Sequence, residues 1–194
     1  GRASILARAT STARRSTVDL MRNLRWLWIL VLAAVVVSLD QWTKSLIEAN
    51  IPLYGQMAPF PDFSRYFNLV HYQNSGAAFG LLRGQAGLFI VVAVVVIIAV
   101  LIYARHLADD NWPTRIALGL QLGGAFGNLI DRLTQDGLVT DFLLFMLPVG
   151  DRVYQWPAWN IADGSIVVGT ILLAILLLRS ESQRVEIQAP ENAE

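Results

Sequence analysis

The sequence contains no cysteine and only two histidines, His71 and His106, among its 194 residues. The absence of cysteine excludes a disulfide framework, a cysteine nucleophile and thiolate metal sites. Two histidines without an HExxH pattern argue against a multi-histidine zinc site. We therefore expect no catalytic or metal site built from cysteine or from several histidines in this chain.

Charge is also scarce. Only 15% of the residues are charged and 55% are hydrophobic, whereas a soluble domain carries about 25% charge. Fifteen basic residues balance fifteen acidic ones, so the net charge is zero. This composition argues against a soluble globular protein, a disordered chain and a protein that binds nucleic acid.

Four stretches are too apolar for surface elements: 26–39, 88–104, 116–130 and 166–178. Each reaches the length of about 20 residues that crosses a bilayer once its flanks are included. The second has no charge, glycine or proline, and the third is the weakest because it is rich in glycine. We predict an all-α membrane fold with four transmembrane helices, at about 24–43, 86–105, 114–133 and 159–179.

The basic residues predict how the chain crosses the membrane. Ten of the fifteen lie in the N-terminal segment, in the turn between spans two and three, or in the tail. Positive residues concentrate on the cytoplasmic side, so both termini should be cytoplasmic and the two longer loops should face outward. We expect a disordered basic extension over 1–21, a membrane domain over 22–180 and a cytoplasmic tail over 181–194.

The outer loops also contain residue patterns that predict structure. Residues 66–72 have the β-branched and aromatic character of a strand, and the small, turn-rich residues 74–80 follow. We expect a small extracytoplasmic β element on the membrane surface. The second outer loop, 134–158, leads into Trp156-Pro-Ala-Trp159, which is typical of an aromatic membrane anchor.

Two patterns concern helix faces. Asp40 and Lys44 are four residues apart, so they share a helix face and can form a structural salt bridge or belong to a site. Gly119, Gly123 and Gly127 form a stripe of small residues in span three. Such a stripe lets another helix approach closely, and the alternative is room for a substrate chain.

Two further acids lie at the outer side of the predicted bundle. Asp163 begins the last apolar run, where a carboxylate is costly, and Asn160 shares its helix face; Asp141 lies inside the apolar run 139–146. Two carboxylates close together in a poorly hydrated place share one proton, so one can act as a base and the other as an acid. Such a pair can activate water against a peptide bond. Ion pairing with Arg132 or Arg152 is the alternative.

Five short motifs occur in a fixed order: Asp40-x3-Lys44, Asn74-x-Gly-Ala-Ala-Phe79, Gly127-Asn-Leu-Ile-Asp-Arg132, Val139-x-Asp-Phe142 and Asn160-x-Ala-Asp163. Together with the four spans they resemble the bacterial lipoprotein signal peptidases, also called signal peptidase II. The resemblance extends over about residues 22–178, which is nearly the whole predicted membrane domain.

The resemblance implies a monomeric, multi-pass aspartic endopeptidase of the bacterial inner membrane, with its active site facing the periplasm or the cell exterior. Its substrate would be a prolipoprotein whose lipobox cysteine carries diacylglycerol, its other partners would be membrane lipids, and it would bind neither nucleic acid nor a cofactor or metal. By motif, the catalytic residues would be Asp141 and Asp163. Residues that support the pair or bind substrate would be Asn74, Asn128, Asp131, Arg132, Asn160, Asp40 and Lys44.

The last motif departs from the family pattern on both sides of Asp163. Trp159 stands where the family usually has Phe, and Gly164 stands where it usually has Ser.

Two rival functions also remain at this point. One is a proton-coupled transporter or channel subunit with a relay through Asp40, Asp131 and Asp163, and the other is a membrane scaffold that uses the glycine stripe as its partner face.

Overall fold

The computed structural model describes residues 2–76, 84–107 and 111–188, with side chains described from residue 26 to residue 181 within those ranges. The helices are α1 (Arg2–Asn50), α2 (Ala86–His106), α3 (Trp112–Thr134) and α4 (Ile161–Gln188). The strands are β1 (Gln56–Met57), β2 (Phe67–Asn74), β3 (Val139–Val149) and β4 (Arg152–Gln155), and a short 3-10 helix lies at Pro61–Phe63.

Three segments are long and apolar enough to cross a membrane: Trp26–Asn50 in α1, Ala86–His106 in α2 and Ile161–Glu181 in α4. They correspond to three of the four predicted spans. The remaining predicted span lies in α3, which is central to the bundle. Thirteen of the 23 residues of α3 are buried, against three of 21 in α2. Because its neighbours cover it, α3 can carry glycine and polar residues that a lipid-facing helix would not.

The backbone of α1 is helical from Arg2 onward, where the sequence predicted a disordered extension over 1–21. The helical backbone of residues 2–21 differs from that prediction, and the composition is compatible with a helix. The segment from Arg2 to Asn50 contains neither glycine nor proline, and its Arg, Ala and Leu residues favour a helix. The first proline after it, Pro52, coincides with the end of the helix.

The four strands form one antiparallel sheet in the order β1-β2-β3-β4. The predicted strand over 66–72 is confirmed as β2, whereas residues 77–80 of the turn-rich segment lie outside the described residues. The predicted second outer loop, 134–158, contains the hairpin of β3 and β4. The pairing of β3 with β2 joins residues about 70 positions apart, such as Leu69 and Leu143, so no local sequence pattern predicts it.

The glycine stripe of α3 packs against α1. A Cβ atom on Gly119 would lie 2.9 Å from Leu32 Cδ2, and one on Gly123 would lie 2.6 Å from Val36 Cβ. A Cβ on Gly127 would lie 2.7 Å from Asp40 Oδ2. The prediction of close helix packing is therefore confirmed, and α1 fills the space in which a substrate chain would otherwise have to lie.

We expect Gly123→Ala to destabilise the protein by about 1–3 kcal/mol, because the new methyl group overlaps the branched Val36 side chain and the helices must separate. Gly87→Ala is the matched control, since a Cβ at this helical position meets nothing within 4 Å. It should be neutral or stabilising by up to about 1 kcal/mol. Thermal unfolding in detergent measures both. Equal stability of the two variants would show that α1 and α3 are not held at this distance.

Candidate active site

Lys44, the only lysine of the chain, lies at the end of the helix bundle that adjoins the sheet. Its Nζ is 2.7 Å from Asp40 Oδ2 and 2.8 Å from Asp131 Oδ2. It also donates to Asn128 Oδ1 at 3.3 Å. Lys44, Asp40 and Asp131 are at most 2% exposed. The predicted pair of Asp40 and Lys44 is confirmed, and it belongs to a buried cluster with a second carboxylate.

The remaining carboxylate oxygens of this cluster bind other elements. Asp40 Oδ1 accepts a hydrogen bond at 2.9 Å from the backbone N–H of Ala162, which is one of the unpaired donors at the start of α4. Asp131 accepts from Gln41 Nε2 at 2.7 Å and from the N–H of Thr140 at 3.2 Å. The cluster therefore joins α1, α3, α4 and β3. The sequence analysis missed Gln41, a polar residue beside Asp40 whose partners are 86 and 90 positions away.

Asp141 on β3 and Asp163 in the first turn of α4 line the same cavity. Asn160 connects them: its Nδ2 donates to Asp141 Oδ1 at 2.8 Å, and its Oδ1 accepts from the backbone N–H of Asp163 at 2.8 Å. The second contact also caps α4. Because a single side chain binds both residues, the two acids are held in a fixed relation.

Two further amides bind the pair. Asn74 Nδ2 donates to Asp141 Oδ2 at 3.0 Å, and Asn128 Nδ2 donates to Asp163 Oδ1 at 2.7 Å. The Oδ1 of Asn128 accepts from Lys44 and Asn160, each at 3.3 Å, so its amide can have only one orientation. Lys44 thus helps to fix the orientation of the Asn128 amide, which in turn donates to Asp163.

Burial raises the pKa of Asp141 to about 7, and the negative charge of Asp163 adds to this effect. The hydrogen bonds from Asn74 and Asn160 and the positive charge of Lys44 lower the pKa of Asp141, but they offset only part of this increase. The Asp141 carboxyl group therefore keeps a proton up to neutral pH when Asp163 is ionised, as expected for two carboxyl groups that share one proton.

The cavity has a volume of about 910 Å³ and lies between α2, α3, α4 and the segment 156–159. Its walls along α2 and α4 are mostly apolar. The polar side chains that line it are the two acids and Asn74, Gln121, Asn128, Arg132 and Thr170. The guanidinium of Arg132 lies over the Phe89 ring, 4.9 Å from its centroid, and 3.4 Å from the carbonyl oxygen of Gly76. Within the described residues, neither Arg132 nor Arg152 forms an ion pair with Asp141 or Asp163.

Comparison with known proteins places this geometry in a family. A family model described as signal peptidase (SPase) II matches residues 32–179. The chain belongs to the signal peptidase II family. The lipoprotein signal peptidase of Geobacillus thermodenitrificans is 42% identical over 145 residues, which cover 75% of this chain and 86% of that protein. That of Pseudomonas aeruginosa PAO1 is 39% identical over 168 residues, which cover 84% and 94% respectively.

Solved structures agree with this assignment. A bacterial membrane enzyme superposes with a TM-score of 0.70 at 30% identity, over 86% of this chain and 93% of that one. A second bacterial membrane enzyme gives a TM-score of 0.65 at 32% identity, over 77% and 92%. Family membership and the three apolar helices together identify a multi-pass membrane protein.

All nine candidate residues of this signal peptidase II chain lie in one connected region, and their individual roles stay predictions. Asp131 is placed as the partner of Lys44, away from the pair formed by Asp141 and Asp163. Among the described residues, no group of three or more His, Cys, Asp or Glu side chains is arranged to hold a metal ion.

One further contact was not predicted from the sequence. Thr140, which precedes Asp141, is fully buried. Its hydroxyl donates to Glu48 Oε1 at 2.7 Å, and its carbonyl accepts from Asn160 Nδ2 at 3.3 Å. Since its N–H binds Asp131, each polar atom of Thr140 has a partner, and the backbone that carries Asp141 is held from three sides.

Proposed function

We propose that this chain is an aspartic endopeptidase that removes the signal peptide from diacylglyceryl-modified prolipoproteins, with Asp141 and Asp163 as its catalytic pair. The observation that carries the proposal is that these two acids line one cavity and bind the same amide side chain, Asn160. The raised pKa of Asp141 supports a pair that keeps one proton at neutral pH. Membership of the signal peptidase II family supports the substrate class.

In the proposed reaction a water molecule lies between the two carboxyl groups. The ionised carboxylate takes a proton from this water, whose oxygen then attacks the carbonyl carbon of the scissile bond. The protonated carboxyl group gives its proton to the carbonyl oxygen. The C–N bond of the resulting tetrahedral intermediate breaks when the nitrogen takes up a proton, which leaves a carboxyl group on the signal peptide and an amino group on the mature lipoprotein.

The cavity has both apolar walls and polar donors, as a lipid-modified peptide substrate requires. Its apolar walls on α2 and α4 suit the apolar segment of a signal peptide and the acyl chains of the diacylglyceryl group. The polar end combines donors from Asn74, Asn128 and Arg132, which can bind substrate carbonyl oxygens beside the two acids. The substrate can therefore keep its lipid part in the bilayer while its peptide bond meets the pair.

We further propose that α3 is a fourth span, that both termini are cytoplasmic and that the site faces the periplasm or the cell exterior in the inner membrane. The 23 residues of α3 suffice in length, and Gln121 finds a partner in Thr170 of α4 at 3.1 Å. The orientation rests on the ten basic residues of the predicted cytoplasmic side.

The experiment that tests this function is a reconstitution. Purified protein in proteoliposomes should cleave a diacylglyceryl-modified prolipoprotein, read as a mass shift on a gel, and should not conduct protons across a pH gradient. Proton flux without cleavage would support the rival transporter with Asp40, Asp131 and Asp163 as a relay.

The pH dependence of cleavage follows from the pKa of Asp141. A carboxyl group with a raised pKa keeps its proton until the pH passes that value, so the singly protonated pair disappears above about pH 7. We expect kcat to fall about tenfold per pH unit above neutrality, and to fall again in acid when both carboxyl groups are protonated. Initial rates from pH 4 to 9 measure this profile. A rate that stays constant between pH 6 and 9 would contradict the shared proton.

A further inference from the structure

A second polar pair joins α3 to α4, farther from the sheet than the two acids. Gln121 Nε2 donates to Thr170 Oγ1 at 3.1 Å, and both residues line the cavity. The pair lies seven positions before Asn128 on α3 and seven positions after Asp163 on α4, and these two residues are themselves joined at 2.7 Å. Because seven helical residues rise about 10.5 Å, the two pairs share one face of the helices at about this separation.

The orientation of the Gln121 amide is fixed by its partner. The Thr170 hydroxyl donates its only hydrogen to the Ile166 carbonyl at 2.7 Å, so its oxygen can only accept from Gln121. A Cβ atom on Gly169 would lie 2.9 Å from Gln121 Cγ, so α4 packs directly on the stem of this side chain. The Gln121 side chain is therefore held both at its stem and at its amide nitrogen.

One amide hydrogen of Gln121 is left for a ligand. A glutamine amide has two N–H donors, and within the described residues the Thr170 hydroxyl is the only acceptor that Gln121 binds. Between the two polar pairs the cavity is lined by apolar side chains, Ala125 of α3 and Ile166 and Val167 of α4. An unpaired donor in apolar surroundings costs free energy, so a ligand in this part of the cavity should bring an acceptor.

The proposed substrate carries such acceptors at the matching distance. About eight covalent bonds lead from the scissile carbonyl carbon, through the cysteine side chain and the glycerol, to the nearer ester carbonyl carbon, and they span about 10 Å when extended. This length agrees with the separation of the two polar pairs. The carbonyl groups of a membrane-embedded peptide segment pair with its own N–H groups in a helix, whereas ester carbonyls have no donor of their own.

We propose that the Gln121–Thr170 pair is a binding site for an ester carbonyl of the substrate's diacylglyceryl group. The second N–H of the Gln121 amide donates to this carbonyl oxygen, and Thr170 holds the amide in position. The inference rests on the proposed function, because the distance is counted from a scissile bond that lies between Asp141 and Asp163. The enzyme thereby recognises the lipid by its ester linkage as well as by its apolar chains.

A competition between two lipid linkages tests the inference. Two prolipoproteins carry chains of the same length on the modified cysteine, linked to the glycerol by esters in one and by ethers, which have no carbonyl group, in the other. Both are cleaved in one mixture, in a detergent without ester groups, so the ratio of their kcat/KM values is independent of how much enzyme is folded. Wild type should prefer the ester substrate about five- to tenfold, because the ether leaves the Gln121 N–H unpaired.

Substitutions assign this preference to the amide. Gln121→Met keeps the length of the side chain but removes both donors, so it should bring the ratio to about one, mainly by raising KM for the ester substrate, since the contact is remote from the reacting bond. Thr170→Ser keeps the hydroxyl and should keep the preference. Gln155→Met is the matched control, since Gln155 is exposed on β4 and does not line the cavity.

The outcomes separate this inference from the function on which it rests. A role of Gln121 in joining the helices alone predicts that Gln121→Met changes kcat/KM for both substrates by the same factor and leaves their ratio unchanged. That result, or cleavage of both substrates by wild type with equal kcat/KM, would overturn the inference and leave the proposed function intact. Wild type that cleaves neither substrate would instead overturn the proposed function.

Discussion

Asp141→Asn and Asp163→Asn will each reduce cleavage of a diacylglyceryl prolipoprotein by at least about 1,000-fold, because general acid and base catalysis contributes about 10²–10⁴-fold and both roles need the pair. An asparagine amide neither takes a proton from water nor gives one to the carbonyl oxygen. Since the two acids act as one unit, the double variant should be no slower than the slower single variant. Single-turnover rates with purified protein measure all three.

The substitutions change little besides the chemistry. An asparagine oxygen at position 141 can still accept from Asn160, so only the hydrogen bond from Asn74 is lost there, and one at position 163 can still accept from Asn128. The melting temperature in detergent should therefore stay within a few degrees of wild type. Asp151→Asn is the matched control, because Asp151 is exposed at the turn between β3 and β4. A single variant of the pair that keeps more than a tenth of the wild-type rate would exclude that acid from catalysis.

Lys44→Met will cost about 3–5 kcal/mol of folding stability, the usual effect of removing one partner from a buried ion pair. The ammonium group neutralises two carboxylates, Asp40 and Asp131, that are at most 1% exposed. Met has nearly the same length and keeps the apolar stem, so the loss comes from the charge. Thermal unfolding in detergent should show the largest decrease among single variants of the polar cluster.

Two variants separate this effect from a general loss of positive charge. Arg65→Met removes an exposed basic residue and should change the stability by less than about 0.5 kcal/mol. Lys44→Met combined with Asp131→Asn should recover part of the loss, because one of the two unpaired charges is gone. If Lys44→Met and Arg65→Met are equally stable, the cluster does not join the helices in the way described above.

The sequence predicted the parts of the fold that depend on local composition. The apolar runs in α2 and α4 are long enough to identify both helices, and the spacing of Asp40 and Lys44 defines their pairing on α1. The stripe from Gly119 to Gly127 predicted close packing without indicating which helix covers it. The resemblance to signal peptidase II named nine candidate residues that the structure brings into one region.

What the sequence could not predict depends on contacts between distant residues. The apolar run 139–149 is a strand because β2, about 70 positions earlier, pairs with it. Glu48 binds Thr140 across 92 positions, and no short motif contains both residues. The hydrogen bond between Gln121 and Thr170 joins residues 49 positions apart and likewise depends on how α3 packs on α4.

The central claim is that the carboxyl groups of Asp141 and Asp163 share one proton beside the substrate. Infrared difference spectra of wild type against Asp141→Asn and Asp163→Asn, taken in detergent between pH 4 and 9, measure it directly. We predict one protonated-carboxyl band at pH 6 that is lost in Asp141→Asn, that titrates at lower pH in Asp163→Asn because the neighbouring negative charge is gone, and that disappears in wild type as the pH rises through about 7. No such band at pH 6, or two bands that titrate independently near the ordinary carboxyl pKa, would contradict the account.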